Sequence, residues 1–366
     1  MGGQGGAGRV WLSAAAVGVL ALAAGAIAIL AGCCAHAPEL PPPHRLPAPA
    51  QLTLTVPEAV EASPDTLTRI EMRNVLFHLD DDVRLHVLRL NGSMHDVTGR
   101  HLVVLDDKKR IRLEVNSARI TLTAADLTLI LNRYIFGYAG APIRGISVRI
   151  TGDRFEQSGI LHKGIDIPFT MVATLSVTPD GQIRLHPTSM KICSLEGLKL
   201  VHALGLHLQQ MIDLKGARAV HAEGDDLLLD PLVSLPPPRI TGHLTAVAVR
   251  AGELVQEFGE PDTVAELAMA PPVPAANYIL MKGGSIRFGK LFMVQAELET
   301  IDADPSDPFD FYLDYYASQL VNGYHVTRPD GSLVAWMPDF DDLGTLRGRV
   351  AVPLESSPAR AADPHH

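Results

Sequence analysis

The stretch Arg110-Ile111-Arg112-Leu113-Glu114-Val115-Asn116 alternates polar and apolar side chains without a fault. A strand with one wet and one dry face produces this period, because successive side chains leave the backbone on opposite sides. Ala118, Ile120 and Leu122 carry the dry face onward after the phase breaks at Ser117. The same period returns over residues 145–150, 165–177 and 182–186. Pro179-Asp180-Gly181 and Pro329-Asp330-Gly331 supply turn chemistry, so the strands they join are expected to be antiparallel. Further strands are expected at 69–79 and 83–90, with Asp80-Asp81-Asp82 as their hairpin tip, and at 239–250, 253–258, 285–301 and 332–337.

Two segments depart from period two. Thr123-Ala124-Ala125-Asp126 has the form of a capping box, and Leu127, Ile130, Leu131, Tyr134 and Ile135 then share one helical face. Leu198, Val201, Leu204, Leu208, Met211 and Ile212 form a second stripe, with Gly216 as its stop. A sheet-rich chain with two amphipathic helices reads as α+β. Pro236-Pro237-Pro238 excludes a central strand or helix interior at that point.

The N-terminus dictates compartment. Residues 11–32 are 22 uncharged residues behind Arg9, enough to cross a bilayer, which takes roughly 20. Leu30-Ala31-Gly32-Cys33 resembles the lipobox of bacterial lipoproteins. That resemblance implies diacylglyceryl attachment to the Cys33 thiol and cleavage before it, with firm membrane attachment once two or more acyl chains are present. The alternative is an uncleaved transmembrane helix with unmodified Cys33. Either way the body faces the periplasm or cell surface. Position 34 is Cys rather than aspartate, compatible under the lipoprotein sorting rule with the outer membrane of a diderm organism.

Residues 1–32 are thus read as signal peptide and 33–51 as a tether, stiffened by six prolines in 35–51. Residues 52–260 form a sheet-and-helix domain, 261–352 a β-rich C-terminal segment or subdomain, and 353–366 a disordered tail. The net charge of −10 and the lack of a Lys/Arg run argue against nucleic acid. Three cysteines give no disulfide framework, and Cys193 reads as a buried small hydrophobe.

Chemical motifs fail on inspection. Gly284 to Leu291 fits GxxxxGK but places Leu291 where a magnesium-binding hydroxyl belongs, in a region that reads as strand. Asp302, Asp304 and Asp307 are dense enough to suggest calcium but miss EF-hand spacing. Asp307 as N-cap, Pro308 at the first helical position and Asp310 in the first turn of a helix running through Tyr315 and Leu320 is the favoured account. His78, His86, His95 and His101 show no zinc spacing, and Ser158, His162 and Asp166 crowd one hairpin, where surface polarity explains them. No catalytic motif, metal or cofactor is read from the chain.

The stretch from Ile120 to Pro187, with its "LTAADL" helix start and its "GISVRITGDRF" and "SVTPDGQIRL" hairpins, resembles the exported bacterial relatives of tubular lipid-binding proteins. That resemblance implies a long curved antiparallel sheet wrapped on one or two amphipathic helices around an apolar groove. Leu127, Leu131, Ile135, Leu204, Leu208 and Met211 are the candidate groove lining. The implied function is a non-enzymatic envelope lipoprotein that binds or moves a phospholipid or glycolipid. The competing reading is a structural lipoprotein that binds a protein or cell-wall partner. The aromatic region Phe309, Phe311, Tyr312, Tyr315, Tyr316 and Tyr324 suits either that interface or a core.

Overall fold

The computed structural model describes residues 67–346, less 193–194, 197–211, 213, 215, 218, 234 and 260–268. Cys33, the tether, Cys193, the helical stripe with Leu204, Leu208 and Met211, and the tail lie outside the described residues. Of the described residues 55% are in strands and 11% in helices. This corrects the α+β expectation: the chain is mostly β, built as several sheets, and not one curved sheet wrapped on amphipathic helices. The longest α-helix among the described residues has only seven residues.

Strands β1 (Thr68–His78), β2 (Arg84–Asp96), β3 (Leu102–Val104) and β4 (Ile111–Leu122) lead to helix α1 (Ala124–Ile130), which widens into a π turn at Leu131–Ile135. Then come β5 (Ile143–Thr151), β6 (Arg154–His162), β7 (Asp166–Val177), β8 (Ile183–Ile192) and the short β9 (Leu195–Glu196). They are followed by β10 (Val220–Glu223), β11 (Asp226–Leu229), β12 (Arg239–Gly242), β13 (Leu244–Arg250) and β14 (Glu253–Phe258). The C-terminal part holds β15 (Tyr278–Lys282), β16 (Ser285–Phe288), β17 (Leu291–Val294), β18 (Glu297–Asp302) and β19 (Phe309–Phe311). Helix α2 (Tyr316–Val321), β20 (Tyr324–Thr327) and β21 (Leu333–Met337) come next.

The largest sheet runs β13-β14-β4-β2-β1-β15-β18-β21-β20, with β12 beside β4 and β19 beside β1. The second runs β10-β11-β8-β7-β6-β5, with β9 on β8, and a small third sheet is β17-β16-β3. Strand β1 takes β2 on one side and β15 on the other, so segments either side of residue 260 share one sheet.

Local sequence explains local geometry. The phase break at Ser117 is a β-bulge: pairing passes from Asn91↔Ser117 to Gly92↔Val115, leaving Asn116 unopposed. A Cβ at Gly92 or Gly259 would collide with the carbonyl oxygens of Glu114 and Asn116, so both flanks of the bulge need glycine. Pro179-Asp180-Gly181 and Pro329-Asp330-Gly331 are tight turns, with Gly181 at φ +82° and Gly331 at +86°. GxxxxGK is a hairpin: β16 pairs antiparallel with β17 around Gly289 at φ +60°.

The helix expected from Asp307 is corrected. Phe309–Phe311 instead pairs in parallel with Val75–Phe77, on the edge of β1 beyond the last residue that β15 occupies. The helical turns begin only at Leu313. Phe309, Phe311, Tyr312, Tyr315 and Tyr316 are all buried, and Tyr324 stacks on Trp336. Burial of such rings removes large apolar areas from water, so they stabilise the core.

Candidate functional site

The main core takes side chains from the large sheet, the second sheet and helix α1 together. Thr123 Oγ1 accepts from the Asp126 amide at 3.2 Å while the Asp126 carboxylate accepts from the Thr123 amide at 3.3 Å, a complete capping box. Caps of this kind contribute about 1 kcal/mol. From that start the helix is tied to both sheets. Asn132 Nδ2 donates to the carbonyls of Thr128 and Ile146, each at 2.7 Å, and its Oδ1 accepts from the Ile146 amide at 2.9 Å. Thr128 Oγ1 accepts from the Val148 amide at 2.9 Å. These side chains therefore act as a partner strand for β5, at its register shift between Arg144 and Ser147.

The opposite side of the helix grips the β1–β2 hairpin tip. Arg133 reaches Asp80 at 3.1 Å and Asp82 at 2.6 Å, and the Tyr134 hydroxyl donates to Asp80. Burial pushes the Asp80 carboxyl up, but Tyr134, the amides of Asp82 and Val83, and Arg133 outweigh it and hold Asp80 below its ordinary range. The acidic tip is thus a docking point rather than a solvated charge run.

Held this way, α1 and the π turn after it present Leu127, Leu131 and Ile135 to an apolar cleft. The large sheet contributes Leu85, Ile120, Leu122 and Leu254, and the second sheet Phe155, Leu175, Ile183 and Leu185. The enclosed part of this space is about 80 Å³, and the rest opens to solvent. Three of the six residues expected to line a groove therefore meet in one place, while Leu204, Leu208 and Met211 lie outside the described residues. A second apolar space, about 30 Å³ where it is enclosed, lies along β6 to β8 and shares Gln157 with the first.

Every described lining residue of the larger cleft is apolar except Gln157 and Gln256. Gln157 follows Phe155 on the dry face of β6, and Gln256 stands between Leu254 and Phe258 on the dry face of β14. They are 4% and 6% exposed, and among the described residues neither side-chain amide has a hydrogen-bond partner. Sequence reading passed over both, although a signal existed: each glutamine falls two residues after an apolar side chain, Phe155 or Leu254, on the same strand face.

Away from the cleft, two titratable clusters form. Asp302 and Asp307 meet Asp339, with carboxylate oxygens within 4.8 Å of one another. Asp304 stands apart from this trio and instead accepts from the Ser306 amide at 3.2 Å. Burial, and then the charges of Asp302, Asp307 and Asp310, push the Asp339 carboxyl up to about 7 despite the Asp310 amide donating to it. Proton retention therefore relieves the crowding. In the second cluster His78 pairs with Asp310, close to Asp341, and stacks on Tyr312. Of the suspected hydrolase residues, His162 meets Asp166 at 2.7 Å, whereas Ser158 Oγ turns to the Ser147 carbonyl.

Comparison with family models, with curated proteins and with solved structures finds no match. Among the described residues, no helix is long and apolar enough to cross a membrane.

Proposed function

We propose that this chain is an envelope lipoprotein, fastened to the membrane through Cys33, whose cleft binds or moves a phospholipid or glycolipid without making or breaking a bond. The cleft carries the reading: apolar walls from two sheets and a helix converge on one space, with no charged residue among its described lining. Acyl chains entering it leave water and gain roughly 0.8 kcal/mol per buried methylene. The lipobox-like Leu30-Ala31-Gly32-Cys33 supports the anchor. An anchored carrier meets its ligand at the bilayer surface, where the chains must be withdrawn.

The test is native mass spectrometry with organic extraction on the full chain, purified from bacterial membranes in mild detergent. A defined lipid released on denaturation, together with a diacylglyceryl adduct on Cys33, is the expected result. Cys33→Ser should lose the adduct and the membrane attachment. A lipid-free protein, still lipid-free after incubation with phospholipid vesicles, would overturn the cleft reading and favour a structural lipoprotein.

A further inference from the structure

We propose that the cleft recognises a diacyl lipid by its carbonyl linkages, with the side-chain amides of Gln157 and Gln256 donating to the two ester carbonyls. This rests on the lipid-cleft reading above and deepens it. The two amides come from different sheets, β6 and β14, yet border the same space. Both are more than nine-tenths buried, and among the described residues neither amide has a partner. Their cross-strand neighbours offer no polar side chain: Gln157 lies opposite Val148 and Met171, and Gln256 opposite Val247 and Ile120. The strands leave the dry-face phase intact, so these are inward positions that an aliphatic residue would fill without cost.

The chemistry of the missing partner follows from the walls. A free carboxylate or phosphate inside the cleft would need a cation, and no Lys, Arg or His is among the described lining residues. A pure hydrocarbon would leave both amides unpaired. A lone hydroxyl satisfies one of them. Two uncharged acceptors at the base of two apolar chains each take an N–H from one amide, and that is the linkage region of a diacyl glycerolipid, whose charged headgroup then stays outside the cleft. Buried polar groups left unmatched by the wrong ligand are a strong source of discrimination.

The test offers the full chain an equal mixture of dioleoyl phosphatidylglycerol and its dioleyl ether analogue in vesicles, and reads the bound lipid by native mass spectrometry. The ether analogue keeps the chains and headgroup and removes only the carbonyls. The wild-type protein should take the ester lipid by about tenfold or more, as two hydrogen bonds imply. Gln157→Leu with Gln256→Leu should take both lipids equally while still binding them. Equal uptake by the wild type would overturn the inference and leave the cleft reading standing. A preference that survives in the double variant would remove these two glutamines from the recognition. Uptake of neither lipid would defeat the cleft reading itself. The wild-type comparison stands alone if the double variant does not fold.

Discussion

Gln319 and the pair Gln157 and Gln256 are the same residue type at nearly the same burial, 0% against 4% and 6% exposed. Their surroundings are opposite. Gln319 Nε2 donates to the carbonyls of Asp310 at 2.8 Å and Pro338 at 2.9 Å, and its Oε1 accepts from the Tyr312 amide at 3.1 Å. It bonds three backbone groups, of which the Asp310 carbonyl also accepts from the Phe340 amide at 2.9 Å, and so holds β19, α2 and the segment after β21 together. Gln157 and Gln256 satisfy nothing among the described residues. A buried amide that closes a network is structural, and one facing apolar space is available to something that enters.

The same contrast holds for the regions around them. The C-terminal end is rich in polar groups and answers those around Gln319 internally, while Ser285 Oγ and Glu299 Oε1 stay buried without a partner: Asn277 donates to Asp302 at 3.0 Å, the Asp304 amide to Asp302 at 2.8 Å, and the Asp310 amide to Asp339 at 2.7 Å. The cleft is poor in polar groups and leaves its few unanswered.

Substitutions can break this comparison. Gln319→Leu should cost about 2–4 kcal/mol in urea denaturation, because the Tyr312 amide and the Pro338 carbonyl lose their partner while the Asp310 carbonyl keeps only the Phe340 amide. A loss under about 1 kcal/mol would show that water replaces it. Asn132→Ala should cost about 2 kcal/mol by orphaning the Ile146 amide and carbonyl, and should loosen α1 from β5 in hydrogen exchange.

Asp339→Asn tests the acidic region through pH. The folded-state value of Asp339 is raised from 3.8 to about 7, so the folded protein holds this proton more tightly than the unfolded chain. Its contribution is full below about pH 4, falls as pH rises towards 7, and is level above that. Asn keeps the acceptor for the Asp310 amide and carries no charge. Thermal unfolding at pH 8 should then show a gain of about 1–2 kcal/mol, and the decline between pH 4 and 7 should flatten. The smallest effect belongs to Gln157→Leu with Gln256→Leu in the absence of lipid. Stability should change by less than about 1 kcal/mol, in the stabilising direction, since an unpaired amide gives way to an apolar side chain of similar size. A loss comparable to Gln319→Leu would mean that the two kinds of glutamine do not differ.

Much of the local structure was legible because its causes are local. Thr123 and Asp126 are three residues apart and cap each other; Pro179-Asp180-Gly181 carries its own turn; the phase slip at Ser117 is the bulge read along the strand. The fold class was not legible in the same way. Asp307-Pro308 has the chemistry of a helix start, yet Phe309 and Phe311 gain more from the free edge of β1 and the core behind it. Of the cleft, the α1 face could be read from its spacing, whereas the opposing walls from β4, β6, β8 and β14 could not.

The sequence by itself determined which stretches alternate, where they turn, where α1 begins and which side chains each element turns inward, since these depend on residues within a few positions of one another. Only the tertiary structure decided that β1 joins the two halves of the chain, that Asp339 completes the pair Asp302 and Asp307, and that Gln157 and Gln256 border one apolar space. Those outcomes depend on which distant edges find each other, and that choice follows from burying the most apolar surface while leaving the fewest polar groups unpaired.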